Sequence, residues 1–242
     1  MIKGLYKSAS AMIPRIKKQE AAANNIANAS TPGYKKERIF TKELSKAELK
    51  IAQKRNAWEQ PMVDKSYTSF APGVFDNTGN PLHLAIDGDG FFKIELPDGT
   101  QALTRNGAFS VNNQGLLEIP GGAVVIGEGG PIEVGSGVID VSATGIVSSN
   151  GQSVGQIRPV TVNNLQELNK IGSSLFIVPD GEELIPVPKS TIQQGYLEAS
   201  NVDIVREMIE MIISFRNFEA DSKSISVQDQ SLEQLFSRVG SR

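Results

Sequence analysis

The sequence predicts an α+β protein. Its N- and C-terminal heptad helices are expected to form a coiled-coil end domain, and the residues between them a central all-β antiparallel domain. Residues 202–239 contain no Gly and no Pro, and their apolar side chains recur at alternating spacings of four and three, as in a coiled-coil seam. Residues 3–28 repeat this pattern at the other end of the sequence. Nearly all of the 23 glycines lie between these two segments, among short β-prone runs.

The N-terminal element is predicted to be the first helix of the end domain. Pro14 lies inside its heptad pattern, so this residue either kinks the helix or begins a new one at its first turn. A run of helix-breaking residues between Asn28 and Gly33 is expected to end it. The seam of this helix consists of Leu5, Ala9, Met12, Ile16, Gln19, Ala23 and Ile26.

A highly charged segment completes the first part of the coiled-coil domain, which is predicted to span residues 1–60. Residues 35–57 are expected to form a short helix or an extended arm that ends at Pro61. Residues 1–55 hold 13 Lys and Arg against 4 Asp and Glu, a net charge of +9, whereas the remaining residues carry −12. The basic arm is either a solvated face or a surface that seeks an acidic partner, such as a lipid leaflet, a nucleic acid or another copy of this protein. Few aromatic residues alternate with the basic ones, which disfavours nucleic acid.

Residues 61–197 are predicted to form the central β domain and to fold by themselves. Turn residues separate the β-prone runs so closely that no crossover helix fits between them, so the strands should be antiparallel. Asn150-Gly151 is the clearest signal for a two-residue hairpin. The expected strands include 91–95, 124–126, 138–141, 157–162 and 175–178.

The C-terminal element, residues 198–242, is predicted to be one long helix that starts at a capping box formed by Ser200 and Asp203. The uninterrupted stretch 202–239 would measure about 55 Å as a helix at roughly 1.5 Å per residue, so it must lie against another helix, in the same molecule or in a neighbouring one. We therefore predict an assembly interface on the two heptad seams. Its residues are Leu5, Met12, Ile16, Ile26, Met208, Met211, Phe215, Phe218, Ile225, Leu232 and Phe236.

The sequence contains no convincing catalytic, cofactor-binding or metal-binding residues. It has no Cys, which excludes disulfides and thiolate chemistry. His83 is the only histidine, and it is expected in a loop after Pro81. The sequence has no nucleophile-elbow motif with which this histidine could form a catalytic triad. The run Asp87-Gly88-Asp89-Gly90 resembles part of a calcium loop, but a tight turn is the better interpretation, because the following residues are β-prone. No apolar run reaches the length of a membrane span, and the N-terminus lacks a signal-peptide core.

Three segments of the sequence resemble the axial proteins of the bacterial flagellum, specifically the flagellar basal-body rod family. The first is NNIANASTPGYK at 24–35. The second is LAIDGDGFF at 84–92, followed by LTRNGAFS at 103–110. The third is GYLEASNVD at 195–203. Within the family, MIPR at 12–15 and TGNPL at 78–82 favour the proximal-rod branch, with the distal-rod protein as the close alternative and a hook-related axial protein also open.

The resemblance implies a structural, non-enzymatic subunit of the flagellar rod, the drive shaft, which assembles helically through its terminal helices. It implies partners among other copies of the protein, neighbouring rod proteins and the flagellar type III export apparatus. It also implies a periplasmic location, reached without signal-peptide cleavage, and neither nucleic-acid binding nor stable membrane insertion. A different class stays open from the residues alone: a membrane- or wall-associated β domain with amphipathic anchors and hydrolytic activity.

Overall fold

The computed structural model describes residues 2–43, 61–135, 137–172, 174–179 and 181–239. These residues divide into two compact units, each assembled from separate parts of the sequence. The helical unit contains the described parts of 1–27, 37–69 and 203–242, and the β unit contains those of 28–36 and 70–202. The predicted division at residues 60 and 197, as a statement about domains that fold independently, stays a prediction.

Within the described residues, the helical unit holds two α-helices, α1 (Ile2–Ala27) and α2 (Ile204–Val239). Helix α1 continues through Pro14. Asp203 caps α2, because its Oδ1 accepts a hydrogen bond from the main-chain nitrogen of Arg206 at 3.1 Å. The predicted capping box is wrong: Oγ of Ser200 accepts from the main-chain nitrogen of Val202, ahead of the helix.

Two strands, β1 (Glu37–Glu43) and β2 (Pro61–Thr68), complete the helical unit as an antiparallel pair. A bulge between Phe40 and Thr41 interrupts their register. The charged segment is therefore extended over its first residues. The rest of the segment that was predicted to be a short helix or an extended arm, residues 44–57, lies outside the described residues.

The β unit is built from short antiparallel strands, as the turn-rich sequence predicts. One 3-10 turn, Leu165–Glu167, lies among them. The strands are β3 (Phe75–Asn77), β4 (Leu84–Asp87), β5 (Phe92–Glu95), β6 (Gln101–Thr104), β7 (Ser110–Val111), β8 (Leu117–Glu118), β9 (Val124–Gly127), β10 (Gly130–Pro131), β11 (Ile139–Val141), β12 (Ile146–Ser149), β13 (Gln152–Gln156), β14 (Val160–Thr161), β15 (Asn169–Ile171), β16 (Leu175–Ile177), β17 (Ile185–Pro186), β18 (Thr191–Gln194) and β19 (Tyr196–Glu198).

The largest sheet has the order β15-β16-β6-β5-β9-β8-β7, with β10 paired to β9. The β unit also contains a three-stranded sheet, β11-β12-β13, and three strand pairs, β14-β17, β18-β4 and β19-β3. The main core is centred on Phe92, Ile94 and Val125, and a smaller cluster packs Phe91 against Leu103 and Phe176. Both clusters are aliphatic and aromatic, so burial of apolar surface stabilises this unit.

The Asn150-Gly151 hairpin is confirmed. These residues join β12 to β13 with φ angles of 53° and 81°, the left-handed pair that a two-residue turn requires. The strand expected at 157–162 is shorter in the structure, where it contains only Val160–Thr161. The prediction is therefore wrong for residues 157–159. Pro159 lacks a main-chain N–H, and the N–H of Ile157 instead donates to the main-chain oxygen of Gly145.

Candidate assembly interface

The predicted seam of α2 is divided between two faces of the helix. Met211, Phe218, Ile225 and Leu232 are all partly buried. The residues that were expected to alternate with them are exposed: Met208 to 48%, Phe215 to 53% and Phe236 to 75%. The coiled-coil geometry of the two helices stays a prediction.

Helix α1 shows a similar division. Met12 and Ile26 are partly buried, whereas Ile16 and its neighbour Ile13 are exposed. The side chain of Leu5 lies outside the described residues.

The face of α2 that meets α1 carries polar side chains at every seventh residue: Glu207, Ser214 and Asp221. Oγ of Ser214 donates to the main-chain oxygen of Arg15 at 3.0 Å, and Oδ2 of Asp221 lies 2.6 Å from Nε of Arg15. The alternate seam positions are thus displaced by one residue from the predicted set. Apolar periodicity located Met211 and Phe218, but it gave no sign that polar residues occupy the positions between them.

A second apolar face of α2 lies on the side roughly opposite α1. Its members are spaced by three and four residues and are all exposed, so they form one stripe along the helix. A contiguous exposed apolar surface of this kind is typical of a protein–protein interface. We name it the outer stripe, and it consists of Val205, Met208, Ile209, Ile212 and Phe215.

Asn25 joins three elements of the helical unit and is fully buried. Its Oδ1 accepts from the main-chain nitrogen of Glu37 at 2.9 Å, while its Nδ2 donates to the main-chain oxygen of the same residue at 2.9 Å. Nδ2 also donates to Oε2 of Glu207 at 3.0 Å. One amide therefore links α1 to β1 and α2.

In the β unit, the three segments that carry the family resemblance meet at one buried cluster of charges. The cluster contains Lys35 from the first segment, Arg105 from the second and Glu198 from the third. Nζ of Lys35 lies 2.5 Å from Oε1 of Glu198, and Nη1 of Arg105 lies 3.2 Å from Oε2. The carboxylate thus holds two cations that come from distant parts of the sequence.

Main-chain groups complete the coordination of this cluster. The N–H of Gly73 donates to Oε1 of Glu198 at 3.0 Å, and Nζ of Lys35 donates to the main-chain oxygen of Ala71 at 2.8 Å. Arg105 donates from Nη1 to the carbonyl of Ile86 and from Nη2 to that of Gly88. Burial lowers the pKa of the Lys35 ammonium and of the Arg105 guanidinium, although Glu198 acts in the opposite direction on both.

The backbone around Lys35 lies against the main chain of the β unit. Gly33 has a φ of +69°, and a Cβ at this position would lie 2.3 Å from the carbonyl carbon of Arg105. Nζ of Lys170 donates to the main-chain oxygen of Lys35 and lies 3.9 Å from the ring centre of Tyr34. Sequence reasoning did not select Lys35, Arg105 or Glu198, and the available signal was that each lies in a segment typical of the family.

The positions considered for chemistry serve the fold. Nδ1 of His83 lies 2.8 Å from Oγ1 of Thr78, within the turn that precedes β4. The Asp87-Gly88-Asp89-Gly90 run is a turn between β4 and β5, and the main-chain oxygens of Gly88 and Asp89 accept hydrogen bonds from Arg105 and Ser190. Among the residues the structure describes, no group of three or more His, Asp or Glu is placed to hold a metal ion. Over that same part of the sequence, neither α1 nor α2 combines the length and apolarity needed to cross a bilayer.

Comparison with known families agrees with the resemblance in the three segments. Residues 5–35 match the model described as flagella basal body rod protein. Residues 85–157 match the D1 domain of the flagellar hook protein FlgE/F/G group, and residues 193–238 match the C-terminal region of flagellar basal body rod FlgEFG proteins.

The alignments with individual relatives cover nearly the whole of this chain. FlgG of Borreliella burgdorferi is 33% identical, over 96% of this chain and 97% of that protein. FlgG of Bacillus subtilis is also 33% identical, over 97% and 98%. FlgF of Caulobacter vibrioides is 31% identical, over 99% of each. The protein therefore belongs to the family of flagellar basal-body rod proteins of the FlgF and FlgG type.

Proposed function

We propose that this protein is a structural subunit of the flagellar basal-body rod and joins its neighbours into a helical assembly through its terminal helices. The observation that carries the assembly step is the outer stripe of α2, which exposes five large apolar side chains opposite the α1 contact. A surface of this kind is stabilised when a second subunit removes it from water. In this proposal the outer stripe of one copy packs against a different face of the next copy, so the contact is heterologous and continues along a filament.

Charge supports the same arrangement. The +9 of residues 1–55 and the −12 of the remaining residues allow the basic part of one copy to face the acidic part of the next. Complementary charge of this kind sets orientation and register more than it adds affinity. Partners of this chemistry are other copies of the protein and neighbouring rod proteins.

The proximal branch of the rod is the branch that we propose. The alignment with FlgF of Caulobacter vibrioides covers 99% of both proteins within 243 positions, so it needs few gaps. The alignment with FlgG of Borreliella burgdorferi extends over 262 positions and covers 96% of the present sequence. A periplasmic location, export through the flagellar type III apparatus without signal cleavage and a role without catalysis complete the proposal.

The outer stripe gives a direct test, because two neighbouring aromatic residues differ in what they contact. Phe215 is exposed, whereas Phe218 is partly buried on the face towards α1. We expect Phe215→Ser to leave the free energy of unfolding of the monomer unchanged within about 0.5 kcal/mol, as for other surface changes. In cells whose own copy is deleted, the same variant should abolish incorporation into basal bodies and swimming.

Two matched controls complete the experiment. Val138→Ser removes an apolar side chain of the β unit that is 79% exposed, and it should leave swimming intact. His83→Ala, which removes the only imidazole, should also swim. Normal incorporation of Phe215→Ser would contradict the proposed interface. Binding of the 1–33 peptide to anionic vesicles at low salt would instead favour the membrane-anchored alternative.

A further inference from the structure

We propose that the polar residues spaced by seven along α2 fix the register of α1 against α2. Glu207, Ser214 and Asp221 lie on the α1-facing stripe, where they alternate with the apolar residues Met211 and Phe218. We name these three residues the polar ladder. The inference goes beyond the proposed function, because it concerns contacts within one molecule and does not depend on assembly.

Each residue of the polar ladder has a specific partner on α1. Oε2 of Glu207 accepts from Nδ2 of Asn25, and the two residues are 5% and 0% exposed. Ser214 donates to the main-chain oxygen of Arg15, and Asp221 forms an ion pair with Nε of the same residue. A ladder residue therefore meets its partner only when the two helices are correctly aligned along their axes.

The positions of these partners define one antiparallel alignment. From Arg15 to Asn25 helix α1 advances by ten residues, while the contacts on α2 move back from 214 and 221 to 207. At roughly 1.5 Å per residue, the ten residues on α1 span about 15 Å, which lies between the distances of about 10 Å and about 21 Å that separate Ser214 and Asp221 from Glu207 along α2. Asn25 is itself held by two hydrogen bonds to the main chain of Glu37, so Glu207 meets a fixed point.

The apolar part of the stripe does not select this alignment. Met211, Phe218, Ile225 and Leu232 also recur every seven residues, so a shift of one heptad brings similar side chains into contact. Helix α2 has 36 residues and α1 has 26, so the apolar pattern of α2 continues beyond the length of α1. After such a shift the buried amide of Asn25 and the carboxylate of Glu207 lose each other, and unsatisfied buried polar groups are costly. The polar ladder thus excludes the shifted alignments.

Gln228 provides a natural contrast at the next heptad position. Its Nε2 donates to Oγ of Ser224 on α2 itself, and its buried Oε1 has no hydrogen-bond partner among the described residues. Oδ2 of Asp221 also lacks a hydrogen bond of good geometry, but it lies 2.6 Å from Nε of Arg15 and is paired with that cation by charge. A Gln228→Leu change therefore removes a polar side chain of the same stripe without removing a register contact.

Because the sequence has no Cys, two introduced cysteines can carry spin labels without interference. Ala23 on α1 and Lys223 on α2 are both exposed and serve as label sites. The distance between the labels is measured by electron spin resonance in the full-length protein. The test variant combines Glu207→Leu, Ser214→Leu and Asp221→Leu. A second variant, Arg15→Met with Asp221→Met, removes both members of the ion pair and leaves neither charge unpaired.

The wild type and Gln228→Leu should each give one narrow distance. The two ladder variants should keep their helical circular dichroism and add a second population, displaced by about 10 Å for a shift of seven residues at roughly 1.5 Å each. A single unshifted distance in both variants would overturn the inference. So would a broad distribution in the wild type, or loss of helical signal in both variants, because the ladder would then act on stability and not on register.

Discussion

At the level of single residues, the carboxylate of Glu198 is almost completely buried together with two cations, Lys35 and Arg105. The side chains of Glu198 and Lys35 are each 1% exposed, and Arg105 shares the same carboxylate. Taking three charges out of water is expensive, and only their mutual contacts and the surrounding carbonyl groups offset that cost. Loss of any one member of the cluster should therefore destabilise the protein strongly. Replacing all three residues by well-packed apolar side chains would not carry the same cost.

Glu198→Gln should destabilise the β unit by about 3–5 kcal/mol, the range for breaking a buried ion pair. The substitution keeps the size of the side chain but leaves Lys35 and Arg105 without an anion. Urea unfolding of the full-length protein measures the effect. Glu128→Gln is the matched control, because its partner Arg158 and Glu128 itself are about half exposed, with 2.7 Å between Nη1 and Oε1. That change should cost no more than about 1 kcal/mol, and equal losses in the two variants would contradict the prediction.

The lowered pKa of Lys35 gives this cluster a characteristic pH dependence. In the unfolded state the Lys pKa is near 10.5, whereas burial lowers the pKa of Lys35 in the folded protein. Just below pH 10.5 the unfolded state therefore binds more protons, so the contribution of Lys35 to stability rises with pH in that window. The free energy of unfolding of the wild type, relative to Lys35→Met, should increase as the pH rises towards 10.5. A constant or falling difference would show that the ammonium is not disfavoured by burial.

At the level of elements, helix α2 and residues 28–36 are both held in place by contacts with residues that are distant in sequence. Helix α2 divides its side chains between the α1 contact and the outer stripe, so one apolar pattern serves two surfaces. Residues 28–36 follow α1 in sequence, yet they pack in the β unit. There the N–H of Gly33 donates to the main-chain oxygen of Glu198, and Tyr34 is 2% exposed.

The close approach of Gly33 to the main chain predicts that Gly33→Ala is far more damaging than an alanine at another left-handed glycine. A Cβ at Gly33 would lie 2.3 Å from main-chain atoms of Arg105 and Asn106, which cannot rotate away as the end of a flexible side chain can. Gly99, with φ of +84°, has nothing within 4 Å of the same position. Gly99→Ala should therefore cost only the backbone strain, about 1–2 kcal/mol, and Gly33→Ala clearly more. Thermal unfolding of both variants makes the comparison, and similar losses would refute it.

At the scale of the whole molecule, both compact units are discontinuous in sequence. The heptad patterns, the absence of Gly and Pro from residues 202–239 and the turn dipeptides were enough to predict two terminal helices and an antiparallel β region. The assignment of residues 28–36 to the β unit was not predictable in the same way. These residues contain turn signals, which end a helix but do not specify what they pack against.

Truncation tests this organisation. A fragment of residues 28–202 keeps Lys35, Arg105 and Glu198, whereas a fragment of residues 61–197 retains only Arg105. We expect the longer fragment to unfold cooperatively in urea and the shorter one to lack a cooperative transition, since its buried guanidinium has lost its carboxylate. Far-UV circular dichroism and the dispersion of amide resonances measure both. A shorter fragment as stable as the longer one would contradict this expectation and agree with the sequence prediction that residues 61–197 fold by themselves.

Local spacing along the sequence was enough to predict the helices, the strands and the hairpin. Helices and strands follow from apolar periods, and the Asn150-Gly151 hairpin follows from residues that accept left-handed angles. The packing of the two helices was needed to show which face of α2 meets α1. On that face, Glu207, Ser214 and Asp221 replace alternate positions of the predicted seam. The tertiary structure also brought Lys35, Arg105 and Glu198 together. The physical reason is that a buried polar group is fixed by its partner in space, and a periodic apolar pattern does not record where that partner lies.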